Sequence, residues 1–175
     1  MKKLVSLFLS LCLVFSFMMG CGKKENVYEG FIKKLVDPET YKSIAKIEDY
    51  KENPGAFDKA YGESYEKAFE GYLNKEGIDS LMKPFIASIF EEVMQYKDIN
   101  GVKDIKISDV KKDDKSDYDY VSCNVTYVYT TNSGETIDMK ESFAFHINKK
   151  DKIIQNVWID KDNSSIMKLA STIKR

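Results

Sequence analysis

Polar and apolar positions follow one period in the first half of this chain and another in the second. From Val27 the spacing is helical: Val27, Tyr28, Phe31, Ile32, Leu35 and Val36 recur three and four residues apart, which predicts a helix with one apolar face. Asp37 followed by Pro38 predicts a cap and a restart, with Tyr41, Ile44, Ala45 and Ile47 turned inward until Asn53-Pro54-Gly55 breaks the run. A third helix is predicted from about Phe57 to Lys75, with Phe57, Tyr61, Tyr65, Phe69 and Tyr72 on its inner stripe and Gly77 as its stop. Leu81, Met82, Phe85, Ile86, Ile89, Phe90, Val93 and Met94 predict a fourth helix, from Ser80 or Leu81 to about Lys97, with Pro84 in its first turn.

From Val102 the period becomes two. Four strands are predicted, VKDIKISDV, YDYVSCNVTYVYTT, ETIDMKESFAFHI and IIQNVWID, separated by the polar turns KKDDKSD, NSG and NKKDK. Such short connections dictate an antiparallel meander. NSSIMKLASTI closes the chain as a short helix capped by Asn163, Ser164 or Ser165. The predicted architecture is therefore α+β: helices over 27–97 packed on one face of a curved four-stranded meander over 102–160, and a terminal helix over 163–173.

Alternation also sorts the side chains by face. Val121, Cys123, Val125, Tyr127 and Tyr129 share the side that helices should cover, as do Ile137, Met139, Phe143, Phe145 and Ile147. Ser122, Asn124, Thr126, Asp138, Lys140, Ser142 and His146 fall opposite. Tyr118, Tyr120, Val128, Ile154 and Trp158 also fall on that second side and predict an apolar patch there. Glu141 breaks the rule by landing on the apolar face between Met139 and Phe143. A three-residue NSG loop would set it across from Val125 or Tyr127. Two readings follow: a carboxylate of raised pKa beside Tyr127 and Tyr129, fit for acid or base chemistry in a cavity, or a side chain returned to water by a bulge or by a sheet that outruns its helices.

The first twenty residues belong to neither pattern. Lys2 and Lys3 precede an apolar run from Leu4 to Met19, shorter than the roughly 20 residues that span a bilayer and of the length of a secretory h-region. The run ends Met18-Met19-Gly20-Cys21, which resembles the lipobox of bacterial lipoproteins. The resemblance implies cleavage between Gly20 and Cys21, a diacylglyceryl group (with palmitate or similar acyl chains) on Cys21, and residence at the outer face of the cytoplasmic membrane. Residues 1–20 are then the signal peptide, 21–26 a lipidated tether and 27–175 one domain. Two acyl chains on one residue anchor stably where one is marginal. Cys12 leaves with the leader, Cys21 carries lipid, and only Cys123 remains, without an intramolecular partner for a disulfide.

Composition narrows the function. Aromatic residues make up 13% of the chain and charged residues 31%, the balance of a folded domain with a wet surface. The net charge of −1, with lysines and acids interspersed, argues against nucleic acid as a partner. There is no Gly-rich phosphate loop and no nucleophile elbow, and no cofactor is implied. His146 is the chain's one histidine and lacks neighbours at ligand spacing; Asp113, Asp114, Asp117 and Asp119 lack the spacing and glycine of a calcium loop.

Helices first, then a curved meander over about Phe57 to Asp160, is similar to the cone-shaped NTF2-like superfamily, with a cystatin-like packing as the other option. That superfamily holds isomerases, dehydratases and non-catalytic modules, so the likeness does not choose a function. The leading expectation is a non-catalytic module that binds a protein, peptide or envelope component through the cone mouth or the Tyr118, Tyr120, Trp158 patch. The alternatives are a cone-cavity enzyme using Glu141 and an immunity-type lipoprotein.

Overall fold

The computed structural model describes residues 25–173. Gly20 and Cys21, with the leader and most of the tether, lie outside the described residues. Helix α1 spans Val27–Val36, α2 Pro38–Tyr41, α3 Pro54–Ala68, α4 Lys75–Met82 and α5 Ile86–Tyr96, with a short 3-10 helix at Ile47–Tyr50. Strands β1 (Ile99–Asp114), β2 (Tyr118–Thr131), β3 (Thr136–Asn148) and β4 (Ile154–Ile159) follow, then α6 (Ser165–Ala170). The four strands form one antiparallel meander in the order β1-β2-β3-β4. The fold is α+β, as the change of period predicts.

Helix ends depart from expectation where local polar groups intervene. Asp37 caps α2 by accepting from the Glu39 amide at 3.0 Å. The helix is one turn long, and two of its side chains serve α1: Thr40 Oγ1 donates to the Lys34 carbonyl at 2.6 Å and the Tyr41 hydroxyl to the Leu35 carbonyl at 2.8 Å. Both satisfy carbonyls that the last turn of α1 leaves open. The predicted fourth helix is two helices. Pro84 has no N–H to continue α4, and the chain turns through Phe85, held left-handed at φ 60°, before α5 begins.

Gly77 is not a stop; it lies in the first turn of α4, where its N–H donates to Asn74 Oδ1 at 2.9 Å. A Cβ there would stand 2.4 Å from the Ile154 carbonyl oxygen, so only glycine allows α4 to approach β4 this closely. That approach covers the open edge of β4. The Val157 amide donates to Ser80 Oγ at 3.0 Å, and Leu73 forms a parallel bridge with Ile154. The other edge, β1, is interrupted by irregularities at Asp104 and Asp109, both at positive φ, and is studded with lysines. Both devices discourage pairing with another sheet.

The core is the inner face of the sheet against the helices. Phe31, Leu35, Phe69, Leu81, Phe90, Val125, Tyr129 and Phe145 are fully buried in it. Ile154, expected on the outer patch, is also fully buried. A register shift between His146 and Ile147 adds a residue to β4, so Ile154 and Val157 both face inward. Cys123 is a buried free thiol on the inner face, pushed up to about 11 by desolvation.

Candidate functional site

The aromatic patch assembles around His146 on the outer face of the sheet. Tyr120 stands directly across from His146, Tyr118 lies two residues before Tyr120, and Trp158 pairs with Ala144, two residues before His146. Direct and diagonal neighbours on one face are within reach of large rings. Ring centroids lie 4.1 Å from His146 for Tyr118, 4.5 Å for Trp158 and 5.7 Å for Tyr120. Ala144 beside Trp158 gives the indole room, and Trp158 is 43% exposed. Desolvation among the rings lowers the His146 pKa, which favours the neutral imidazole. Sequence parity places the three patch residues on His146's face, but only the register reveals His146 as their centre.

Glu141 lies on the inner face opposite Val125, in unbroken register with β2, so neither a bulge nor solvent relieves it. Two of its three partners come from the far end of the chain. Ser164 Oγ donates to Oε2, the Ile166 amide donates to Oε1 at 2.9 Å, and the Tyr127 hydroxyl donates to Oε1 at 3.4 Å. Ser164 in turn accepts from the Met167 amide at 3.2 Å, as the N-cap of α6. Glu141 thus caps α6 through space and pins it to β3, where Ser165 Oγ also accepts from the Lys140 amide at 3.0 Å. Desolvation nevertheless pushes the Glu141 carboxyl up to about 7. The Tyr127 and Tyr129 rings meet edge to face at 5.0 Å, and burial raises both hydroxyls well above the ordinary tyrosine range. The Tyr129 hydroxyl is buried without a hydrogen-bond partner of good geometry. These three residues form a buried polar seam, with all three side chains on the inner face of the sheet.

Two surface hollows lie elsewhere. One, of about 750 Å³, opens between the 3-10 helix, α3 and the α4–α5 junction, lined by Ile47, Phe57, Tyr61, Met82, Phe85 and Glu91 among others. The other, of about 680 Å³, lies at the start of α1 beside Tyr28, Tyr72, Val121 and the Lys112–Asp119 ion pair, at 2.9 Å. Asp113 and Asp114 are likewise held by Lys115 and Lys149. Among the described residues no group of three or more His, Cys, Asp or Glu is placed to hold a metal ion, and no helix is long and apolar enough to cross a membrane.

No protein-family model matches the chain, and no curated protein or solved structure is detectably similar to it. The fold and the sites stand on their own geometry: an α+β domain with a helical layer on one side of a meander and an exposed aromatic cluster on the other.

Proposed function

We propose that this chain is a lipid-anchored, extracytoplasmic binding module, held to the membrane through Cys21 and engaging a protein, peptide or envelope component through its outer sheet face. The observation that carries the binding role is the cluster of Tyr118, Tyr120 and Trp158 about His146. Exposed tyrosine and tryptophan rings on a rigid strand scaffold offer large contact area at small entropic cost, and such residues dominate binding surfaces. The polar residues Ser122, Asn124 and Ser142 continue the same face and supply a rim, with Ser142 Oγ donating to Asn124 Oδ1 at 2.7 Å. The lipobox-like Met18-Met19-Gly20-Cys21 supports the anchor. The element order is similar to the NTF2-like superfamily, whose non-catalytic members serve as binding modules.

The enzyme alternative draws no support from Glu141. A general acid or base must reach a reacting proton, and both oxygens of this carboxylate are taken by protein donors in a fully buried position. Full-length protein carrying Trp158→Ala or Tyr120→Ala, crosslinked at the cell surface, should lose partners that the wild type captures. An unchanged set of partners contradicts the patch.

A further inference from the structure

The helical side of the molecule carries a second recognition feature that shares no residue with the patch. Phe57, Tyr61, Tyr65 and Phe69 recur every fourth residue along and just beyond α3 and stack as a column, with neighbouring centroids at 5.2, 5.0 and 6.3 Å. Beside this column, on α5, stands Glu91. The hydroxyls of Tyr61 and Tyr65 both donate to its Oε2, at 3.1 and 2.9 Å, and Gln95 Nε2 donates to Oε1 at 3.2 Å. Those partners are all uncharged. They fix the carboxylate in place, lining the 750 Å³ groove, without neutralising it.

The rest of the groove is apolar, uncharged or charge-balanced. Lys46 and Glu48 contribute opposite charges, so Glu91 sets the net sign. Ile47 and Phe85 flank the opening at 58% and 67% exposure, unusual for side chains of their size. Phe85 is kept there by a left-handed backbone that a bulky residue adopts only under strain, and such strain concentrates at ligand clamps. A carboxylate fixed by neutral donors, aromatic faces beside it and apolar walls together complement an organic cation: the charge opposes Glu91, the ring faces attract it, and Met82 and Phe85 take its carbon. The volume falls in the range of small-molecule sites.

We infer that the groove between the 3-10 helix, α3 and the α4–α5 junction binds a small organic ammonium ion bearing apolar carbon, with Glu91 as its counter-ion and Phe57, Tyr61 and Phe85 as its aromatic walls.

The test uses one benzyl body with three charges: benzyltrimethylammonium, benzyl alcohol and phenylacetate, titrated into the full-length protein in uncharged detergent and followed by protein chemical shifts. The cation should saturate, bind about tenfold or more tightly than the alcohol, and move signals of Tyr61, Phe85 and Glu91, with phenylacetate weakest. Glu91→Gln keeps an oxygen for both tyrosine hydroxyls, and its amide N–H can donate to Gln95 once that exposed amide turns to present its oxygen, so the variant should stay folded while losing the preference for the cation. Equal binding of cation and alcohol, no saturation by the cation, or an unchanged preference in Glu91→Gln would overturn the inference. If Glu91→Gln does not fold, Phe85→Ala serves instead, with cation affinity expected to fall about threefold or more.

Discussion

Glu141 sits where every neighbour along its strand face is apolar, and the three donors that meet it make the position tolerable. Its pH dependence follows from burial. The carboxyl titrates near 7 in the folded protein against an ordinary value of 4.5, so between those values the folded state holds a proton that the unfolded state has released. The resulting stability is fully present below about pH 4.5, falls as pH rises, and is gone above about pH 7, a swing of about 3 kcal/mol. Chemical denaturation of wild type across that window should show the decline, and Glu141→Gln should flatten it. Glu141→Ala leaves the Ser164 hydroxyl and the Ile166 amide without their buried acceptor and should cost about 2–4 kcal/mol below about pH 4.5, a cost that shrinks as pH rises towards 7 because the wild type loses stability there and the variant does not titrate. Strand parity exposes Glu141 as an anomaly from the sequence alone, because alternation reports the face. It does not report the partner, and Ser164 lies on a different element across the turn that follows β4. The same limit hides Tyr61, Tyr65 and Glu91: helical spacing marks the tyrosines as inward-facing, but the carboxylate they meet is on another helix.

Elements were legible where one rule governs and obscure where two compete. The strands obey alternation, and their number, order and most of their faces follow from it; Ile154 is the exception, turned inward by the extra residue in β4. The region from Asp37 to Met94 is harder because periodicity sees the apolar stripe and not the breaks within it. Pro84 and Phe85 divide one continuous stripe into α4 and α5, and α2 is a single turn whose Thr40 and Tyr41 hydroxyls bond the last carbonyls of α1. Gly77 reads as a terminator in sequence and is a contact residue in space. Replacing it tests that assignment: Gly77→Ala should destabilise by about 1–3 kcal/mol in urea unfolding, because the new methyl meets a backbone oxygen that cannot move without shifting β4. If the glycine were an ordinary helical position with room for a methyl group, alanine would be neutral or stabilising.

The molecule as a whole is two-sided. Helices cover the inner face of the meander, α4 and its preceding segment close the β4 edge, and the outer face is left to the His146-centred aromatic cluster. A lipid tether ahead of α1 would confine such a surface to the space just outside the membrane, where a modest affinity would suffice for a partner held at the same membrane. Localisation through Cys21 is therefore the central claim of the proposed function, beside the binding role carried by the aromatic cluster. It is tested most directly by the mass of the N-terminal peptide of membrane-extracted protein, compared with Cys21→Ser. The expected result is a wild-type peptide beginning at Cys21 and carrying a diacylglyceryl group, and a Cys21→Ser protein that is either uncut or released to the medium. A Cys21→Ser protein processed and membrane-held like wild type, or a wild-type peptide with an unmodified Cys21, would contradict the lipid anchor.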